Sequence, residues 1–79
     1  MPTDADRPAK RSLSLQGHRT SVALEPLFWE TLDAMARERG LSGAGLAARI
    51  DAARAPSVGL ASALRLAALR WALERRDGG

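Results

Sequence analysis

Few side chains in this sequence can do chemistry, and most of those that can are cations. There is no Cys and a single His, His18, so thiolate sites and an imidazole cluster are both excluded. His18 reads as a strand-edge or turn residue. The serines have no His–Asp pair to activate them, Glu30 and Asp33 fall on the solvent side of a helical pattern, and no glycine-rich phosphate loop follows a strand. The reading is therefore of a protein that is not an enzyme and carries no cofactor or metal. Anion binding remains. Arg7, Lys10, Arg11 and Arg19 outweigh Asp4 and Asp6 before residue 25, and Arg65, Arg70, Arg75 and Arg76 outweigh Glu74 and Asp77 near the other end. Between them lies an acidic stretch with Glu25, Glu30, Asp33 and Glu38 against Arg37 and Arg39. Basic ends of this kind are compatible with a polyanionic partner.

A chain of 79 residues is one domain with a thin core. Without disulfides or a metal, oligomerisation is the remaining way to stabilise it. Hydrophobic residues make up 46% of the chain, too many for a wholly disordered protein. The longest apolar runs are interrupted by Arg or Ser, so no segment is expected to span a membrane. The opening MPTDADRPAKR has acidic residues and no apolar core, unlike a signal peptide, and a cytoplasmic protein is expected.

The elements that would position the cations follow from hydrophobic period. Residues 1–11 combine Pro2, Pro8 and mixed charge, the pattern of a flexible arm. SLSLQG (12–17) alternates and could lengthen a strand, with Gly17 expected to break or bulge it. HRTSVAL, about 18–24, alternates as a strand, with Val22 and Leu24 inward and Arg19, Ser21 and Ala23 outward. A first helix, about 26–39, opens with Pro26 after Glu25, and Leu24 and Trp29 are placed as a hydrophobic staple. It buries Phe28, Trp29, Leu32, Met35 and Ala36 and stops at Gly40. Ser42 caps a second helix, about 43–54, with Leu46, Ile50 and Ala53 on one stripe. Gly43 and Gly45 in its first turn serve either close helix packing or the approach of a phosphate.

After APSVG a third helix runs from about 60 to 76, and residues 77–79 read as a frayed end. The third helix is apolar on two sides. Leu60, Leu64, Ala67 and Trp71 form one stripe; Leu66, Leu69 and Leu73 form another, nearly opposite. One stripe is read as facing its own chain and the other a partner. Trp29 and Trp71 read as core or interface anchors, with stacking on a ligand as the alternative. The expected core and dimer set is Val22, Leu24, Phe28, Trp29, Leu32, Leu46, Ile50, Leu64, Leu66, Leu69 and Trp71. The single strand at 18–24 has no second convincing strand to pair with, so it is expected to pair with its own copy in a homodimer.

One strand followed by two helices across a tight Gly-x-Ser turn resembles the ribbon-helix-helix superfamily of the MetJ and Arc type. The resemblance is closer to short bacterial members with a third helix. It rests on Gly17-His18-Arg19-Thr20-Ser21, Leu24-Glu25, Phe28-Trp29 and Leu60-Ala61-Ser62-Ala63-Leu64-Arg65. It implies a mostly α fold in residues 12–76, an intertwined homodimer whose intermolecular antiparallel ribbon enters the DNA major groove. On that pattern Arg19, Ser21 and Ala23 would touch base edges, Arg19 as a fork to guanine. Ser42, Gly43 and Ala44 would offer amides to a phosphate, and Lys10 and Arg11 would add backbone contacts. Ala23 departs from the family, which usually carries a polar side chain there. Two Arg and two Ser per dimer are a thin readout, to be supplemented by adjacent dimers or DNA shape.

Arg19 also has a plainer reading as a solvated strand residue. Three function classes stay in view: a dimeric DNA-binding transcriptional regulator, a protein-interaction module (antitoxin-like or adaptor) docking through the third helix, and a membrane-surface protein. Two opposed apolar stripes argue against the last, since an interfacial helix needs one.

Overall fold

The computed structural model describes residues 6–78. The strand at His18–Leu24 does not wait for a second chain. It is β2 of a hairpin whose first strand, β1, spans Ala9–Leu15, and the two pair antiparallel from Ala9 opposite Leu24 to Leu15 opposite His18. The expectation of a lone strand is thus corrected: β2 has a partner strand in the same chain, and that strand begins inside the stretch read as an arm. Gly17 interrupts the alternating run, as expected, with β1 ending at Leu15 and β2 starting at His18. Gln16 (φ 51°) and Gly17 (φ 83°) form a two-residue turn with positive φ at both central positions, the type I′ geometry whose twist matches a hairpin. Residues 1–5 of the expected arm and the last residue of the expected frayed end, Gly79, lie outside the described residues.

Three helices follow: α1 (Pro26–Glu38), α2 (Gly43–Ala53) and α3 (Leu60–Gly78). Pro26 begins α1, where a missing N–H is no loss. Gly40 (φ 68°) ends it: its amide donates to Arg37 O at 3.2 Å, and that of Leu41 to Ala36 O at 2.8 Å. That pair of bonds is a Schellman motif, and its positive φ is why glycine stands there. Ser42 caps α2, its Oγ accepting from the Gly45 amide at 3.0 Å. A methyl at Gly45 would lie 3.1 Å from that Oγ, so glycine keeps the cap uncrowded. In the connection to α3, Arg54 donates to Asp51 at 2.7 Å and to Val58 O at 2.8 Å, tying the loop to the end of α2.

The hairpin's inner face and the three helices close around one core. α1 packs on α2 and α3, α2 on β1, and α3 on β2. Val22, Leu24, Trp29, Leu32, Leu46 and Leu64 are buried, with Phe28, Ile50 and Trp71 packed partly buried against them. Leu13 and Leu15 join from β1, and Met35, Ala36, Ala47 and Ala68 from the helices. Leu66 and Leu69 are not part of this core: with Leu73 they are exposed on the far side of α3. No polar residue is buried among the described residues. α3 is fastened along α1 at both ends, by Arg65 on Glu25 and by Arg75 on Glu38, with Arg75 also stacked on Trp71.

Candidate nucleic-acid interface

Alternation and register together decide what the hairpin shows to solvent. Lys10 stands opposite Ala23, Ser12 opposite Ser21 and Ser14 opposite Arg19, so all six side chains share the outward face. Every one of them is exposed. Arg19 Nε reaches Ser12 Oγ only at a long 3.5 Å, which leaves the guanidinium available to an external acceptor. The small residue Ala23 therefore has a cation beside it rather than empty space. Ser12 and Ser14 were missed from sequence, although the SLSL alternation that carries them was visible.

Arg11 is on the other face. Its register partner is Val22, and its two Nη atoms reach the carboxylate of Asp33 at 3.0 and 3.1 Å. Its guanidinium also covers the Trp29 ring at 4.6 Å, while Trp29 Nε1 donates to Ala9 O at 2.7 Å. The Arg11 guanidinium, expected from sequence to add a phosphate contact, is engaged here in fixing β1 to α1. Lys10, one residue earlier, is the basic residue of this strand on the outward face.

The start of α2 has a similar occupant nearby. Ser42 Oγ is engaged by Gly45, and the amides of Gly43 and Ala44 donate to no protein acceptor among the described residues. A methyl at Gly43 would lie 3.6 Å from Asp33 Oδ1, so that carboxylate already sits beside the positive end of α2. Ser42, Gly43 and Ala44 are thus close to one another and partly exposed, with an internal anion at their side. At the base of the ribbon Arg65 meets Glu25 through Nε at 2.9 Å and Nη2 at 3.3 Å and lies 5.8 Å from the Phe28 ring. Those hydrogen bonds, with the helix-start backbone, hold the Glu25 carboxyl below its ordinary value. Among the described residues no cluster of metal-ligating side chains occurs, and no helix is long and apolar enough to cross a membrane.

A basic, hydroxyl-bearing two-stranded ribbon leading straight into a helix, a glycine turn and a second helix defines a ribbon-helix-helix protein, here with a third helix added. The sequence model of the ribbon-helix-helix domain family matches residues 8–72, and the chain belongs to that family of DNA-binding proteins. The solved structure of an uncharacterized protein from Bordetella pertussis Tohama I is similar, with a TM-score of 0.78 and 31% identity. The match covers 94% of this chain and 62% of that one, so this chain spans less than two thirds of its neighbour's length. No curated protein matches the chain.

Proposed function

We propose that the protein is a dimeric, cytoplasmic transcriptional regulator that reads the DNA major groove with the outward face of its hairpin. The observation that carries this reading is the single exposed face formed by Lys10, Ser12, Ser14, Arg19, Ser21 and Ala23. A two-stranded ribbon fits the major groove, and a guanidinium beside hydroxyls matches the donor and acceptor pattern of base edges.

Family members typically bind DNA as dimers. Here β2 pairs with β1 along one edge only, and its outer edge makes no backbone hydrogen bond among the described residues. Two copies joined along that edge would place the two β2 strands side by side at the centre. Arg19, Ser21 and Ala23 from both copies would then face the bases, and Lys10 on the flanking strands would face the phosphates. Ser42, Gly43 and Ala44 would offer amides to a neighbouring phosphate, provided Asp33 stays on Arg11. Recovery of bound genomic DNA followed by binding of the recovered sites at several salt concentrations tests the reading. Tight, sequence-dependent and salt-dependent binding is expected, and DNA binding that Arg19→Ala leaves unchanged on every recovered site would overturn it.

A further inference from the structure

Away from the hairpin, the C-terminal half of α2 and the middle of α3 enclose a groove that DNA reading does not use. Two depressions of about 340 and 290 Å³ share Ile50, Ala53, Ala67 and Arg70 and so run into one another. The 340 Å³ depression is lined by the small side chains Ala53, Ala63 and Ala67 together with Ile50 and Val58, and Leu66 stands beside them at 44% exposure. Among the described residues the rim carries Arg39, Arg49, Arg54 and Arg70 against one acid, Glu74. Arg54 is held by Asp51 and the Val58 carbonyl. The side chains of Arg39, Arg49 and Arg70 make no hydrogen bond or ion pair among the described residues.

We propose that this groove receives an amphipathic helix from an acidic partner protein. The alanines in that lining let a second helix approach closely, and an apolar stripe at helical spacing would cover Ala53, Ala63, Ala67 and the side of Leu66. Carboxylates flanking that stripe would meet the three unpaired guanidinium groups, which form short, charge-assisted bonds with them. A nucleic acid would satisfy the arginines but leave the apolar lining uncovered. A second copy placed symmetrically on the same face would set arginine against arginine, which opposes association.

The test is fluorescence anisotropy at about 0.15 M salt with a stapled helical peptide carrying a leucine stripe flanked by glutamates, beside the same peptide with lysines for glutamates. The glutamate peptide is expected to bind, and the lysine peptide to bind at least about tenfold more weakly. Arg70→Glu, Arg49→Glu and Leu66→Lys alter exposed side chains, and each should weaken the glutamate peptide several-fold with helix content unchanged. Arg19→Ala on the hairpin should not affect it. Failure of the glutamate peptide to bind, or equal binding of the lysine peptide, would overturn the proposal. So would loss of binding in Arg19→Ala, which would place the peptide on the ribbon. A change of oligomeric state in Arg70→Glu or Leu66→Lys would assign the groove to a second copy instead.

Discussion

Arg65 grips Glu25 with two nitrogens, Nε at 2.9 Å and Nη2 at 3.3 Å, joining the second turn of α3 to the residue where the hairpin becomes α1. The contact ties three elements through one carboxylate, and it makes a pH-dependent link. The Arg65 hydrogen bond, together with the local backbone, lowers the Glu25 carboxyl from its ordinary 4.5. A depressed carboxylate contributes stability that is complete above the ordinary value and fades as pH falls through the lower folded one. Glu25→Gln should lower the melting temperature slightly at neutral pH and low salt, and the two proteins should converge in acid. Thermal melts of both from pH 7 to pH 2 check this; a difference that persists at pH 2 would show that charge is not the link.

The hairpin turn gives a second expectation. Gly17 has φ 83°, and a side chain there costs about 1–2 kcal/mol. Gly17→Val should destabilise the protein by that amount and speed amide exchange in β1 and β2 before the helices. Gln16→Asn makes the Asn-Gly pair that this turn favours, and a rise in melting temperature is expected.

Lys10 and Arg11 are neighbours in sequence and should behave differently on DNA. Lys10→Ala should weaken binding evenly across sites and reduce the salt slope by about one. Arg11→Ala should leave the salt slope unchanged and instead loosen β1, because its guanidinium is engaged by Asp33 and Trp29. Arg19→Ala should cost about 1–3 kcal/mol at specific sites and relax the preference at one base pair. Titrations at three salt concentrations separate the three outcomes.

The two sides of α3 should also part company. Leu64, 1% exposed, sits in the core, and Leu64→Ala should cost about 2–5 kcal/mol by denaturant unfolding. Leu69 is 51% exposed, and Leu69→Asp should leave the folded chain intact. Dissociation of a dimer by Leu69→Asp in sedimentation would make that stripe an interface between copies.

The helices were legible because their ends carry punctuation: Pro26 opens α1, Gly40 closes it and Ser42 caps α2. The hairpin was not. Its turn is Gln-Gly rather than Asn-Gly, and its first strand begins with the polar run Ala9-Lys10-Arg11, which reads as an arm. Once that strand was missed, the face of Arg11 could not be deduced, because only the register across the turn sets Arg11 opposite Val22 and Lys10 opposite Ala23. Ala47 and Ala68 also escaped, since alanine suits a buried and an exposed helix position equally. Arg19, Ser21 and Ala23 were placed by simple alternation, which needs no partner strand.

The in-chain hairpin has a consequence for how the protein comes into being. Its pairings reach from three residues apart, Leu15 with His18, to fifteen, Ala9 with Leu24. Such short closures are entropically inexpensive and form early. A growing chain can therefore shape its ribbon once residue 24 has emerged, then trap it as each helix arrives to cover Leu13, Leu15, Val22 and Leu24. The association between copies proposed above would then be a step taken by finished molecules, with cellular abundance governing how many are paired rather than how many are folded.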